Sequence, residues 1–289
     1  MALAMVDNKI MFSNKKVLSR VPEGLDAYFL AKKIANEGLS LVHVARDDVR
    51  ALALRNAVKF FDPDISILDF PAWDCLPYDR ISPNAEISCL RMATLSSLVL
   101  EDTKVQLIIT TANAISQRVP PKQVVESSLI LKTGKSLNRE NLISQIVDMG
   151  YINSSTVTER GQFAVRGGIV DIFPPNMVAP VRLDFFGDQL DQAKFFDAET
   201  QLSKGMIYEI LICPVSEFIL NKDYIEIFRS NYRRTFGSNG LNDPLYNSLS
   251  AGRPYFGYEH WGPLFYKNMD TLLDYVTENT PLSLDYGVD

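Results

Sequence analysis

The sequence predicts an α/β fold with a parallel sheet, interrupted by a small inserted α+β domain. Near-continuous apolar runs alternate with helical periodicity in the first third, which is typical of strands covered on both faces. After Pro120-Pro121 the strands become short and closely spaced, and after Cys213-Pro214 the pattern is helical again. The predicted first α/β half, insertion and second α/β half are residues 1–123, 124–213 and 214–289.

Three strands and two helices are predicted in the first α/β half. Asp47 and Asp48 provide an N-cap for the first helix, and Pro71 ends the second strand. The strands are Leu39–Ala45, Ile65–Phe70 and Val105–Thr111, and the helices are Val49–Phe61 and Pro83–Leu98.

The insertion is predicted to hold one helix, Asn138–Met149, and a mainly antiparallel set of strands. Gly187-Asp188 is typical of a hairpin turn. The strands are Ser127–Leu131, Gln162–Val165, Gly168–Phe173, Val181–Phe186 and Ala193–Asp197. In the second α/β half we expect a helix at Lys222–Phe236, a loop at 237–244, an aromatic-rich segment at 257–266 and a strand or helix at 270–276.

Composition bounds the class of protein. The 289 residues are enough for about two domains, and 46% hydrophobic with 22% charged residues is ordinary for a globular protein. A net charge of −6 argues against a domain that holds nucleic acid by itself. Three scattered cysteines and two histidines disfavour disulfides and nearly exclude a zinc site with several histidines. No apolar run is long enough for a membrane span, and we expect a cytoplasmic protein.

A nucleotide site would lie at the first strand-to-helix turn, Ser19 to Tyr28, because helix N-terminal amides bind phosphates. This turn has a single glycine, Gly24, and lacks the lysine and Ser/Thr of a P-loop. Glu23 and Asp26 would repel phosphate there. We therefore expect no cofactor and no nucleotide hydrolysis, and a plain helix start capped near Asp26.

Other candidate sites favour structural roles. Glu259 and His260 are adjacent, so their side chains do not face each other. The aromatic loop Phe70–Tyr78 could stack on bases, but its aspartates favour a loop packed against the sheet edge. Four aspartates of the insertion could suggest a metal-dependent nuclease, yet they fit strand and turn positions better: Asp184, Asp188, Asp191 and Asp197.

The segment from Glu159 to Pro175 carries two arginines, Arg160 and Arg166, each directly before a glycine. In an extended strand Phe163 and Val165 share one face, and Gln162, Ala164 and Arg166 share the other. The two arginines would then lie on one surface about 20 Å apart. Arginines and aromatic rings are common at protein interfaces. Two readings stay open from the residues alone: the arginines contact a partner, or they form weak surface ion pairs.

Four long motifs, in order, resemble the amino-terminal part of the bacterial transcription-repair coupling factors (the Mfd family). The resemblance covers nearly the whole chain after the first dozen residues, and the same segment is similar to the first α/β domain and inserted domain of UvrB. The motifs are "FPAWDCLPYDRISPNAEISCLRMATLSSL", "TERGQFAVRGGIVDIFPP", "RLDFFGDQLDQAKFFDAETQLS" and "GYEHWGPLFY".

The resemblance implies a RecA-like, degenerate helicase-type domain, parts 1A and 1B, that is interrupted by domain 2. It also implies no ATPase activity in this part and binding of the repair protein UvrA by domain 2. Arg160, Phe163 and Arg166 fall on the arginines and the aromatic residue of the UvrB "RRGTFRVRG"-type hairpin that contacts UvrA. Ala164 and Asn153 stand where that pattern has further arginines.

A full-length coupling factor is expected to be an ATP-dependent DNA translocase, with ATP and Mg²⁺ in its motor domains and with RNA polymerase and double-stranded DNA as partners. The motor motifs do not appear in this chain. The alternative to a binding module is a nucleotide-binding or DNA-binding domain of the UvrB type. The segment from Trp73 to Pro83 is too short to supply the long DNA-binding hairpin of UvrB.

Overall fold

A computed structural model describes residue 17, residues 21–100 and residues 105–288. In these residues no helix is both long and apolar enough to cross a membrane. The helices and strands, in chain order, are α1 (Leu25–Glu37), β1 (Leu41–Ala45), α2 (Asp48–Phe61), β2 (Ser66–Phe70), α3 (Ala85–Leu100), β3 (Gln106–Thr111), α4 (Ala112–Ser116), α5 (Lys122–Glu126), β4 (Leu129–Lys132), α6 (Arg139–Asp148), β5 (Ile152–Asn153), β6 (Gln162–Arg166), β7 (Ile169–Ile172), β8 (Val181–Phe186), β9 (Gln189–Phe196), β10 (Ser203–Met206), β11 (Glu209–Ile212), α7 (Lys222–Phe236), α8 (Pro244–Ser250), α9 (Leu272–Tyr275) and β12 (Leu282–Leu284).

A parallel sheet forms the α/β part, with its described strands in the order β12, β1, β3, β2. Every residue of β1 and β3 is buried, as their near-continuous apolar runs predict. Leu41 and Leu107 pack with helices α1 and α2 on one face, whereas Val42 and Ile108 pack with α3 on the other. The predicted sheet covered on both faces is therefore confirmed.

The first two helices begin differently, since α2 has a side-chain N-cap and α1 has none. The Asp47 side chain accepts a hydrogen bond from the backbone of Arg50 at 2.7 Å, so the predicted N-cap of α2 is confirmed. Helix α1 instead starts after Gly24, which has a φ of 84° and gives no side-chain cap. The predicted cap near Asp26 is wrong, because Asp26 lies in the first turn and pairs with Arg50. Ser19 of the predicted turn lies outside the described residues.

The insertion holds a six-stranded sheet in the order β10, β9, β8, β7, β6, β5, which is antiparallel except for the β5–β6 pair. A separate antiparallel pair, β4 with β11, joins the start of the segment to its end. Helix α6 covers one face of the sheet through Leu142 and Ile146. The predicted turn at Gly187-Asp188 is confirmed, but the following strand starts at Gln189 rather than at Ala193.

The last segment is mainly helical and returns to the first sheet. Helix α7 has the predicted bounds. The predicted loop at 237–244 is wrong in part, because Gly237–Asn242 forms a 3-10 helix and Asp243 caps helix α8. Residues 270–276 contain helix α9, and β12 then pairs in parallel with β1.

The chain therefore makes an α/β domain from two segments that flank an inserted α+β domain, as predicted. The proposed boundary at 123/124 falls inside helix α5. Val125 in that helix packs in the core of the parallel sheet, and Val124 packs with the aromatic core of the last segment.

Candidate partner-binding site

Strands β6 and β7 form the hairpin that carries the predicted site. Phe163 pairs with Ile172 and Arg166 pairs with Ile169, so the turn consists of Gly167 and Gly168. Gly168 is required by close packing, because a Cβ there would lie 2.9 Å from the carbonyl oxygen of Phe185. The hairpin is thereby held against the neighbouring strand.

The side chains of β6 alternate between the two faces of the sheet. Phe163 is 2% exposed and belongs to the main core of the insertion. Ala164 belongs to a smaller cluster with Val157, Phe173 and Phe196. Phe163 therefore supports the hairpin from beneath and does not offer its ring to a partner.

Arg166 is exposed at the end of β6. One terminal nitrogen, Nη2, donates to the carbonyl oxygen of Ser155 at 2.6 Å and lies 3.4 Å from the Thr156 hydroxyl. Within the described part of the chain no carboxylate pairs with it. Since a guanidinium has five N–H donors, most of its hydrogen-bonding capacity stays available to another molecule.

Arg160 lies in a different environment. Its guanidinium carbon is 5.2 Å from the ring centre of Phe173, and its Nε is buried without a hydrogen-bond partner among the described residues. Its positive charge also reaches Cys89 on helix α3: burial and the Cys213 thiol raise the pKa of Cys89 to about 12, and Arg160 opposes this shift. Arg160 is thus half-buried where the insertion meets the α/β domain.

The structure adds an ion pair that the sequence pattern did not reveal. Arg182 donates to both carboxylate oxygens of Asp171, at 2.8 and 2.9 Å, and its guanidinium lies over the ring of Phe196. Register places Ala164, Asp171 and Arg182 side by side on the face that Arg166 shares. The hydrogen bond to Asp171 raises the pKa of Arg182. This ion pair links β7 to β8, the two strands that follow Arg166 in the sheet.

An ion-pair cluster lies beside the first turn of α1. Arg50 at the start of α2 pairs with Asp26 in the first turn of α1, and its Nε donates to Asp285 at 3.2 Å. Nearby on β1, the His43 Nδ1 lies 3.1 Å from the Ser283 hydroxyl. Burial lowers the pKa of His43 to about 4, and the charge of Asp285 opposes that shift.

The adjacent Glu259 and His260 contact different partners. Glu259 accepts a hydrogen bond from Ser82. The His260 Nε2 lies 3.2 Å from the carbonyl oxygen of Ile81 and 3.8 Å from the Cys75 Sγ, and burial raises the pKa of that thiol. Asp197 pairs with Lys204. In the residues that the structure describes, no group of three or more His, Cys, Asp or Glu side chains is placed to hold a metal ion.

The aromatic loop Phe70–Tyr78 is divided in two. Phe70 is buried and Trp73 donates from Nε1 to Glu217 at 2.9 Å, as expected of a packed loop. Leu76 and Tyr78 instead project from the surface, with 73% and 76% of their areas exposed. The expectation of a loop packed against the sheet edge is therefore wrong for its second half.

Comparison with known proteins identifies the insertion first. Residues 129–218 match the family described as the UvrB interaction domain, so the hairpin with Arg160 and Arg166 lies inside a domain of a recognised interaction class.

The whole chain is similar to longer proteins. It is 34% identical to the transcription-repair-coupling factor of Haemophilus influenzae over 271 residues, which are 93% of this chain and 23% of that protein. It is also 34% identical to the corresponding factors of Rickettsia bellii, over 91% of this chain and 23% of the relative, and of Escherichia coli, over 84% and 21%. The chain spans about a quarter of the length of these relatives. It is thus related over nearly its whole length to the transcription-repair-coupling factors, as its motifs predict.

Proposed function

We propose that this chain is a non-catalytic docking module that recruits the excision-repair protein UvrA during transcription-coupled repair. The observation that carries the proposal is the state of Arg166. Within a matched UvrB interaction domain, an exposed guanidinium lies on a rigid hairpin and pairs with no described carboxylate. Carboxylates on UvrA are the proposed acceptors, because arginine binds them with two parallel hydrogen bonds.

The three predicted site residues have different roles in this proposal. Arg166 makes the direct contact. Arg160 contributes a second, half-buried cation whose Nε lacks a partner among the described residues. Phe163 anchors the hairpin to the core and so limits the motion of Arg166. Ordering Arg166 before binding reduces the entropy that docking costs.

Substitution of Arg166 by alanine tests the direct contact. We expect UvrA to bind at least tenfold more weakly in titration calorimetry, a loss of about 1.4 kcal/mol. The melting temperature should stay nearly unchanged, because the side chain is exposed. Arg46→Ala is the matched control, an exposed arginine of the α/β domain that should leave the affinity as it is. Equal affinities for wild type and Arg166→Ala would refute the assignment.

The proposal includes the absence of nucleotide chemistry in this chain. It is supported by the acidic side chain of Asp26 in the first turn of α1, which is held there by its ion pair with Arg50 of α2. ATP and Mg²⁺, RNA polymerase and double-stranded DNA are proposed as ligands of a full-length coupling factor, which works in the cytoplasm.

A thermal-shift assay with millimolar ATP and Mg²⁺ separates the two functional classes. No shift is expected, whereas a shift of several degrees that Asp26→Lys increases would favour the alternative of a nucleotide-binding UvrB-like domain.

A further inference from the structure

A second group of cations lies outside the inserted domain, where helix α7 packs beside helix α8. Arg229 and Arg233 are one turn apart on α7, and both guanidinium groups act on the hydroxyl of Tyr246 on α8. The Arg233 Nε donates to that oxygen at 2.7 Å, and its guanidinium carbon lies 5.8 Å from the centre of the Tyr246 ring. We name these three residues, together with Ser250, the Tyr246 site.

The two arginines of the Tyr246 site are exposed, and within the described residues neither pairs with a carboxylate. Asp243, which precedes α8, is bound elsewhere: it accepts from the amide of Leu245 at 2.9 Å and from the hydroxyl of Tyr232 at 2.5 Å. Like charges four residues apart destabilise a helix. Arg229 and Arg233 nevertheless converge on one oxygen, so their arrangement favours an anion that neutralises both.

The two hydroxyl groups of the site add further donors. Burial raises the pKa of Tyr246, but the hydrogen bonds from Arg229 and Arg233 outweigh burial, and the pKa is lowered. Because the Tyr246 oxygen accepts from arginine, its own proton is available to an acceptor. The Ser250 hydroxyl lies close to that of Tyr246, yet its oxygen is buried and has no hydrogen-bond partner among the described residues. Buried polar groups normally have a partner, and beside two guanidinium groups an anion is the favoured one.

The number and kind of donors decide which anion fits. A carboxylate is planar, and a single arginine binds both of its oxygens with two parallel hydrogen bonds. A phosphate group offers three or more strong acceptor oxygens in a tetrahedral arrangement. Two guanidinium groups and two hydroxyl groups from two helices therefore suit a phosphate better than a carboxylate. The net charge of −6 disfavours a long row of phosphate contacts, so the site fits one phosphate group.

We propose that Arg229, Arg233, Tyr246 and Ser250 form a binding site for one phosphate group. The arginines supply the charge and most of the hydrogen bonds, and the two hydroxyls donate to the remaining oxygens. The site lies outside residues 129–218, which match the UvrB interaction domain. The proposal is therefore independent of UvrA binding, and Arg233→Met should bind UvrA as wild type does.

Phosphorus NMR line broadening of inorganic phosphate, at constant ionic strength and pH 7.5, tests the proposal. Saturable binding with a Kd on the order of 1 mM is expected for an exposed site. Arg233→Met should weaken it about tenfold, and Tyr246→Phe, which keeps the ring, at least about threefold. Arg234→Met is the matched control, because it removes the same charge from α7 but donates to Asn231 on another side of the helix. No saturable binding, or equal weakening by Arg233→Met and Arg234→Met, would overturn the proposal.

A labelled DNA duplex, followed by fluorescence anisotropy at low salt, distinguishes the two sources of a phosphate group. If the group belongs to a nucleic-acid backbone, the duplex should bind, Arg233→Met should weaken it, and log K should fall with log salt with a slope of about −1, as one phosphate contact requires. If the group belongs to a small molecule, inorganic phosphate should bind and the duplex should not. Duplex binding that Arg233→Met and Tyr246→Phe leave unchanged, without phosphate binding, would contradict the site.

Discussion

Replacement of Arg91 by methionine tests the buried link between the two halves of the α/β domain. The Arg91 side chain is fully buried on α3, and it donates to Glu217 from Nε at 2.6 Å and from Nη2 at 3.1 Å. Its Nη1 donates to the carbonyl oxygen of Pro71 and the amide oxygen of Gln117. In the variant, Trp73 Nε1 is the one remaining side-chain donor to Glu217 among these contacts.

The magnitude follows from this network. Removal of one partner of a buried ion pair costs ~3–5 kcal/mol, because the other charge stays buried without compensation. The acceptors on Pro71 and Gln117 each lose a further bond of ~1 kcal/mol, part of which methionine packing offsets. We expect a loss of about 4 kcal/mol in the free energy of unfolding, and a melting temperature lower by roughly 10 °C.

Scanning calorimetry and urea unfolding measure this loss. The double variant Arg91→Met/Glu217→Leu should be more stable than the single variant by at least ~1 kcal/mol, because no charge remains buried. Lys33→Ala breaks an exposed pair with Glu37 and should cost under ~0.5 kcal/mol. A loss below ~1 kcal/mol for Arg91→Met, or a double variant as unstable as the sum of the singles, would refute the reasoning.

Two further predictions concern stability. Burial lowers the pKa of His43 in the folded protein to about 4, from its ordinary value of 6.5. Above pH 6.5 the His43 ring is neutral in the folded and the unfolded chain, and its contribution to the free energy of unfolding is complete. As the pH falls towards 4, the unfolded chain binds a proton that the folded chain does not, and ~3 kcal/mol of stability is lost. Urea unfolding at pH 5 and pH 7.5 should show that His43→Gln flattens this slope, and an unchanged slope would contradict the burial argument. Gly161→Ala should cost ~2–3 kcal/mol in thermal unfolding, because φ is 82° and the new Cβ would lie 2.7 Å from Val215 Cγ1. Gly134→Ala is the control, because Gly134 has a φ of 78° but open space around it, and it should cost only about 1 kcal/mol. If both substitutions cost the same, the clash with Val215 does not contribute and the reasoning is refuted.

Most of the fold can be predicted from the sequence, because the parallel strands and α7 have clear patterns of apolar residues. Strands β1 and β3 are predicted from unbroken apolar runs, and both are fully buried. Strand β10 has no such signal, because Ser203–Met206 contains a single large apolar residue and is exposed on both faces. Helix α8 was missed although Asp243 and Pro244 form an N-cap and N1 pair. The preceding Gly and Asn residues are typical of a loop, and they led to the prediction of a loop over the start of this helix.

Less of the candidate site can be predicted from the sequence, because its features depend on contacts between segments that are distant along the chain. Strand alternation is enough to place Phe163 and Arg166 on opposite faces. It contains no information on the proximity of Arg160 to Cys89, which lies on a distant segment of the chain. The left-handed backbone of Tyr78 was not foreseen either, because the turn that fixes it packs against Gly257, far along the chain.

The most direct test of the central claim is the affinity of UvrA for the charge-reversed variant Arg166→Glu, measured by titration calorimetry beside wild type and Arg46→Glu. If acidic groups on UvrA accept Arg166, binding should fall by more than a hundredfold, about 3 kcal/mol, since like charges then oppose each other. Arg46→Glu should bind as wild type does. Undiminished binding of UvrA to Arg166→Glu would contradict the account.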